Sequence, residues 1–369
     1  MFGEFVSPQD PRWLQILNRT RHDFYHLPEY VTLAAEQEQG QPVAFYASDG
    51  DVAFLVPLLI RDVPAYLGAE PGWKDAVSPY GYPTPLLVAT DDPIMLQRFF
   101  DAFCHAAAEQ SIVTAFLRLH PLLTLPMDCF ATHGELVNHG KTVCVDLTLP
   151  DETRWKEIRE NHRRDIRKLR KSGFHTEIDN WDYFRDFIDI YTQSMERCCA
   201  DEYYFFSDTY FTRLRQVLAD RLHLCAVLSE NGDVAAAGLF TAVDEIVQYH
   251  LGGTADECLR LSPAKMMFEA VSRWAKETGN SVLHLGGGVG CSDDSLFRFK
   301  AGFSNWTTDF YTFRMVLDQE KYSTLNRLWQ EHCNGYEEDS DFFPKYRVDC
   351  GHLPDYQTPT SQITGLLDS

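Results

Sequence analysis

The chain has 369 residues, with 33 Lys and Arg against 54 Asp and Glu, for a formal charge of -21. A balance that acidic excludes a basic coat for wrapping nucleic acid, and DNA is not an expected partner. With 44% hydrophobic and 13% aromatic residues the chain can bury a sizeable core, and its length fits two domains, or one large one, at roughly 150 residues each. No apolar run reaches the roughly 18 residues of a membrane span. The opening MFGEFVSPQD also lacks a basic region followed by an apolar one, so a soluble, cytoplasmic protein without a membrane span is expected. The ten Cys are scattered without a CxxC pair, which reads as reduced, mostly structural thiols.

In chain order, a short helix is predicted around Trp13 to Asn18, followed by a hairpin with strands near Val43 to Ala47 and Val52 to Ile60 turning at Asp49-Gly50. The segment SPYGYPTPLL at Ser78 to Leu87 combines restricted backbone with aromatic surface and reads equally well as a shaped loop at a site or as rigid packing. A helix over Pro93 to Glu109 and a strand over Ile112 to Leu119 complete a first block. A second block opens with the strand TVCVDLTL from Thr142 and a single helix over Glu152 to Lys171. There Trp155, Ile158, His162, Ile166 and Leu169 recur every three or four residues as the buried stripe. Helices over Trp181 to Cys199 and Asp208 to Ala219 precede three strands with turns at Asn231-Gly232 and Asp244-Glu245, in the order of an antiparallel meander. Pro263 suits the first turn of a helix running to about Thr278, and a strand over Ser281 to Leu285 leads into Gly286, Gly287 and Gly288. Both halves thus read hairpin, helix, strand. The expected organisation is residues 1–140, residues 141–336, and an acidic segment 337–369 that Phe342, Phe343, Tyr346 and Tyr356 can anchor before a loose tail.

Three clusters carry candidate chemistry. RENHRRDIRKLRK concentrates Arg163, Arg164, Arg167 and Lys168 in an otherwise acidic chain, a local place for phosphates or a solvated helix face. LGGGVGCSDDSLFRFKAGFS sets four glycines before Arg298, Phe299 and Lys300. Glycines let a ligand approach backbone N–H groups, and Lys300 can stabilise a phosphate or a developing oxyanion. Neither GxGxxG nor GxxxxGK[ST] occurs, so the glycines assign no nucleotide fold. Asp293 and Asp294 read as a helix cap, His162 as structural, and His250, at the end of a strand, as a possible base or a sheet residue. No HExxH, zinc spacing or EF-hand loop is present, and no metal is expected.

RHDFYHLPEY (Arg21 to Tyr30), DAVSPYGYPTPL (Asp75 to Leu86), NHRRDIRKLRKSGF (Asn161 to Phe174), LSPAKMMFEAVSRWAKETG (Leu261 to Gly279), LHLGGG (Leu283 to Gly288) and LFRFKAGFS (Leu296 to Ser304) together resemble the FemABX-like branch of the GNAT-type acyltransferases. The resemblance implies an α/β fold of two GNAT-like α+β domains in tandem, mixed central sheets flanked by helices, and transfer of an acyl group to an amine. No heptad segment for a coiled-coil arm is evident, which points to a smaller acceptor. Arg298, Phe299 and Lys300 fall in the neighbourhood of the F-K-x-x-F pattern of the FemX-like proteins. The resemblance thereby makes Lys300 the first choice for acceptor-phosphate or transition-state stabilisation, with Arg298 and Phe299 beside it. It also implies phosphate contacts for Arg163, Arg164, Arg167 and Lys168, and an acceptor cleft shaped by Tyr80 and Tyr82. The acyl-CoA loop of GNAT proteins, [RQ]-x-x-G-x-[GA], has no good match. At that turn stand Arg260, Leu261, Ser262, Pro263, Ala264 and Lys265, whose helix start can still accept a phosphate through Ser262 and Lys265.

The favoured expectation is an aminoacyl-tRNA-dependent aminoacyltransferase, with no tightly bound cofactor, that takes the acceptor end of charged tRNA as donor and an amine-bearing small molecule or cell-wall-precursor-like acceptor. His250 can assist deprotonation of that amine. The alternatives are an N-acyltransferase using acetyl-CoA or another acyl-CoA on an amino sugar, polysaccharide component or amino metabolite, and a non-catalytic ligand-binding module.

Overall fold

A computed structural model describes residues 3–333 and 341–348. They fall in two compact units: residues up to Asn138 together with those from Phe310, and His139–Asp309.

The first unit opens with β1 (Gly3–Val6), α1 (Pro11–Leu17) and α2 (Pro28–Glu38), then the hairpin β2 (Gln41–Asp49) and β3 (Val52–Asp62). Gly50, at φ 62°, supplies the left-handed turn that lets Asp49 pair with Val52. After β4 (Lys74–Val77) and β5 (Leu86–Val88) comes α3 (Pro93–Glu109). Asp92 caps it through the Ile94 N–H at 2.9 Å and Pro93 starts it, and its buried Leu96, Phe99, Phe100 and Phe103 recur at helical spacing. Phe99 stacks on Phe54 of β3 with ring centroids 5.2 Å apart. A buried aromatic of this kind is worth roughly 3–5 kcal/mol against alanine. β6 (Ile112–Arg118) pairs in parallel with β4, and the sheet runs β1-β2-β3-β4-β6, with β5 on β3.

β7 (Glu135–Asp146) leads into the second unit. The single helix expected over 152–171 is two: α4 (Asp151–Glu157) and α5 (Glu160–Lys171). Ile158 is extended there, and the Arg159 N–H bonds to Gly302 O at 2.8 Å in place of a helical acceptor. A tertiary hydrogen bond thus breaks a pattern that helical periodicity joins. β8 (His175–Ile178), α6 (Phe184–Arg197) and α7 (Asp208–Leu218) precede β9 (Leu222–Leu228), β10 (Val234–Val243) and β11 (Ile246–Thr254), which form the expected antiparallel meander. Asp244 and Glu245, both at positive φ, make the tight turn between β10 and β11. Then come α8 (Ala264–Glu277), β12 (Val282–Gly286) and α9 (Ser295–Lys300). The strand order is β7-β12-β11-β10-β9-β8, with only β11 and β12 parallel. α8 covers one sheet face, burying Met267, Phe268 and Val271 with Phe240, Val247 and Leu283. α6 reaches the backbone of β11, where a Cβ on Gly253 would stand 2.4 Å from Ser194 Oγ and 2.8 Å from Ile190 O.

The chain then returns to the first unit through β13 (Trp306–Val316), whose residues from Thr312 pair with β6, and α10 (Gln319–His332). The expectation kept this stretch with the second block because nothing in a local pattern reveals a strand that begins in one unit and ends in the other. Trp329 and Leu325 of α10 bury against Tyr346, whose hydroxyl lies 3.0 Å from Thr114 Oγ1 and 3.3 Å from Asp75 Oδ2. Arg61 and Arg347 both pair with that buried carboxylate. Of the expected anchors, Phe343 meets Phe116 and Tyr322, Phe342 is exposed, and Tyr356 lies outside the described residues, as does the tail. Cys333 is disulfide-bonded, contrary to the expectation of reduced thiols. Among the described residues no helix is long and apolar enough to cross a membrane.

Gly253→Ala should destabilise the chain by about 1–3 kcal/mol, read as a lower urea midpoint at unchanged slope, because α6 leaves no room for the methyl group.

Candidate active site

In the second unit the parallel strands part soon after they meet. β11 and β12 pair from Ile246↔Val282 to Gln248↔His284 and no further. On its other edge β11 carries a bulge: Phe240 faces Tyr249 and Leu239 faces Leu251, so His250 is the extra residue. Such a bulge re-aims the backbone next to the opening.

Lys300 ends α9 beside this opening. Asp294 caps the helix through the Phe297 N–H at 2.8 Å, as expected, and its second oxygen accepts the Val289 N–H at 2.8 Å, tying the glycine loop to α9. Lys300 Nζ donates to Gly287 O at 2.6 Å and lies 5.5 Å from the centroid of the Tyr249 ring. Only 6% of the residue is exposed, and burial lowers its pKa to about 8, opposed by Cys291 and Asp294. The glycines serve the loop itself. A Cβ on Gly288 would stand 2.3 Å from both Asp294 Oδ1 and Ser292 O, and one on Gly287 would meet Cys291 Sγ at 2.9 Å.

The other candidates divide. Phe299 belongs to an apolar wall with Phe268, Phe303 and His162, and its carbonyl accepts from His162 Nε2 at 3.0 Å. Arg298 is exposed and pairs with Asp293 at 3.3 Å. His250 is buried, which lowers its pKa to about 3. A ring that weakly basic is a poor acceptor for an ammonium proton. On α5, Arg163 and Arg167 share Glu160 at 2.5 and 3.3 Å, and Arg164 pairs with Asp165 at 3.2 Å. Lys168 is exposed and makes no ion pair among the described residues. Tyr80 and Tyr82 lie in the first unit, packed into their loop. Tyr80 O accepts from Tyr30 Oη at 3.1 Å, and the Tyr82 ring meets Tyr25, His120 and Phe310.

At the start of α8, Ser262 is left-handed at φ 52°. The Lys265 N–H bonds to Ser262 O at 3.1 Å and the Met266 N–H to Pro263 O at 2.9 Å, while Pro263 has no N–H to offer. Lys265 Nζ is held by Asp165 Oδ2 at 2.7 Å. Two of the donors and the cation of this helix start are already engaged, and a carboxylate stands beside them.

A pocket of about 70 Å³ lies between α4 and α8, around Arg154 and Trp155. Another of about 230 Å³ lies in the first unit, around Arg21 and Leu122. None of the candidate residues lines either one. Among the described residues no group of three or more His, Cys, Asp or Glu can hold a metal. Sequence reasoning passed over Gln248 and His284, two buried polar residues within the apolar runs IVQYH and VLHL. That interruption was the available signal.

The second unit, a mixed sheet flanked by helices whose parallel pair parts at a bulge, has a GNAT-like α/β fold. Residues 156–300 match the family model described as an acetyltransferase (GNAT) domain. The fold is similar to the crystal structure of FemX, at 13% identity over 88% of this chain and 99% of that one, with a TM-score of 0.67. It is also similar to L-PGS from Bacillus licheniformis, at 13% identity over 88% of this chain and 98% of that one, TM-score 0.53. The C-terminal domain of a putative lysylphosphatidylglycerol synthetase from Agrobacterium fabrum matches at 14% identity over 82% and 90%, TM-score 0.50. No curated protein matches the sequence.

The buried ammonium of Lys300 has a signed consequence. Its folded pKa lies below the ordinary value of 10.5, at about 8, so its cost to stability is full below pH 8 and is relieved as pH rises from about 8 to 10.5. Relative to Lys300→Met, the wild-type chain should gain at most about 3 kcal/mol across that window, measured by denaturant unfolding at each pH.

Proposed function

We propose that the protein is an aminoacyl-tRNA-dependent aminoacyltransferase built from two GNAT-like units in tandem, forming an amide on the amine of a small or cell-wall-precursor-like acceptor. The observation that carries the choice of donor is the start of α8. An acyl-CoA pyrophosphate needs open N–H groups at a helix N-terminus, whereas here two are spent on Ser262 O and Pro263 O and Asp165 stands beside Lys265. An aminoacyl ester makes no such demand on that turn. The likeness to FemX and to a protein named as a lysylphosphatidylglycerol synthetase supports the same reading.

In this reaction the neutral amine of the acceptor attacks the ester carbonyl. A C–N bond forms, the ester C–O bond breaks, and the amine proton leaves with the departing 3′-oxygen or with solvent. Positioning and stabilisation of the oxyanion supply the rate. Lys300, Arg298 and Phe299 serve the acceptor and the developing charge, and Arg163, Arg164, Arg167 and Lys168 meet tRNA phosphates. His250 is a weak candidate for proton transfer.

A second reading, acyl-CoA-dependent N-acylation, is favoured by the acetyltransferase domain match over residues 156–300. The two readings separate when the purified protein is offered labelled aminoacyl-tRNA or labelled acetyl-CoA across a salt series, with deacylated tRNA as competitor. Retention that depends on the aminoacyl group and weakens with salt is expected, and retention of acetyl-CoA alone would sink the tRNA donor. In the same assay Lys168→Glu and Arg164→Glu should weaken tRNA retention whatever the amino acid, and each phosphate interaction removed should lower the salt slope by about one.

A further inference from the structure

A row of buried polar side chains crosses the second unit's sheet where β11 and β12 part. Thr241 of β10 faces Gln248 of β11, Gln248 faces His284 of β12, and His284 faces Cys144 of β7. Directly paired residues project from the same sheet face. The neighbours Phe240 and Val247 pack with α8, so the row lies on the opposite face. Exposure is 2% for Gln248 and 0% for the other three. Strands this apolar do not need such a row for their own packing, and a buried polar group without a partner is costly.

The hydrogen bonds fix its central pair. The side-chain amide of Gln248 donates from Nε2 to Tyr249 O at 3.0 Å, so its oxygen is left to accept. That Oε1 lies 2.6 Å from His284 Nδ1, which must therefore carry the proton in the neutral ring. The carbonyl so held is the first on β11 past the last β12 pair, immediately before the bulged His250. In a planar trans peptide the Tyr249 carbonyl and the His250 N–H point in opposite directions, so one bond orients the whole peptide unit.

We propose that His284 and Gln248 are a positioning pair that locks the Tyr249–His250 peptide, and with it the opening between β11 and β12, in the geometry needed for acyl transfer. The inference rests on the acyltransferase reading above and assigns to that site two residues acting through the backbone. His284 holds the Gln248 amide in one orientation, and Gln248 occupies the carbonyl that the parting strands leave without a ladder partner. The ring moves no proton in this role.

The test combines kinetics with two measurements that need no substrate. His284→Leu and Gln248→Leu should each lower kcat by about 10- to 100-fold with little change in acceptor KM, as expected for misplaced reacting groups. Gln248→Glu keeps an acceptor for His284 but loses the donor to Tyr249 O, and should behave like Gln248→Leu. His284→Asn, whose amide N–H can take the Nδ1 position, should recover most of the loss. Amide hydrogen exchange over residues 249–252 should quicken in the Leu variants and return toward wild type in His284→Asn. The nitrogen spectrum of the wild-type ring should show Nδ1 protonated, a result that stands even where a variant fails to fold. Wild-type kcat and exchange in His284→Leu would overturn the proposal. So would a His284→Asn variant with normal exchange but no activity, since that would make the ring a proton acceptor. Absence of turnover with every donor would remove the acyltransferase reading alone, because hydrogen exchange and the ring tautomer still decide whether the clamp exists.

Discussion

The second unit is organised around a pairing that stops. Two parallel strands joined through α8 share three residue pairs and then separate, and the bulge at His250 turns the backbone of β11 at that point. Separation has a cost, since backbone groups that a continued ladder would satisfy need other partners. The surrounding features answer that need: Gln248 takes the Tyr249 carbonyl, Lys300 takes the Gly287 carbonyl, and Asp294 takes the Val289 N–H. The glycine loop, α9 and the buried ammonium are therefore one hydrogen-bonded assembly beside the opening. In this assembly Lys300 is held as much by loop closure as by any charge it could offer a substrate.

The first unit has its own parallel pair, β4 and β6, and fills the place where they part. Ser78 is joined to Arg118 through Oγ at 2.9 Å and through its carbonyl at 2.6 Å. Beyond it, the Leu122 N–H donates to His120 Nδ1 at 3.0 Å, so Nε2 carries the proton that His120 gives to Asp23 Oδ2, also at 3.0 Å. Burial raises Asp23 to about 7 and lowers His120 and His26 to about 3. Gly81, at φ 102°, lies so close to Tyr25 that a Cβ would stand 1.9 Å from its ring. Hydrogen bonds and aromatic packing thus close this part of the first unit on itself.

Local signals made much of this architecture legible. Asp92-Pro93 and the spacing of Leu96, Phe99, Phe100 and Phe103 located α3 to the residue, and the turns at Asn231-Gly232 and Asp244-Glu245 located the meander. What sequence could not carry was long-range. The break between α4 and α5 depends on a hydrogen bond from Arg159 to Gly302, and the course of β13 depends on pairing with β6, almost two hundred residues earlier. The site was legible in part for the same reason. Lys300 and the glycines stood out by type, but Gln248 and His284 acquire meaning only when β10, β11, β12 and β7 are laid side by side. Phe299, singled out beside Lys300, owes its place to the wall it forms with Phe268 and Phe303.

Electrostatics limits how a polyanion can be used by a chain with a formal charge of -21. The basic helix α5 is less charged than its sequence implies, because Glu160, Asp165 and Glu269 each take up one or more of its cations. These pairs are largely exposed and individually weak, and an incoming phosphate can compete for the guanidinium groups, most easily for Arg164 and Arg167. At physiological salt the distant acidic surface is screened beyond about 8 Å, so under the proposed function attraction at α5 would be short-ranged and would reach a few phosphates rather than the whole of a large nucleic acid. A donor presented by the end of a tRNA meets that limit. A protein wrapping the body of the tRNA would need a basic surface that this composition does not provide.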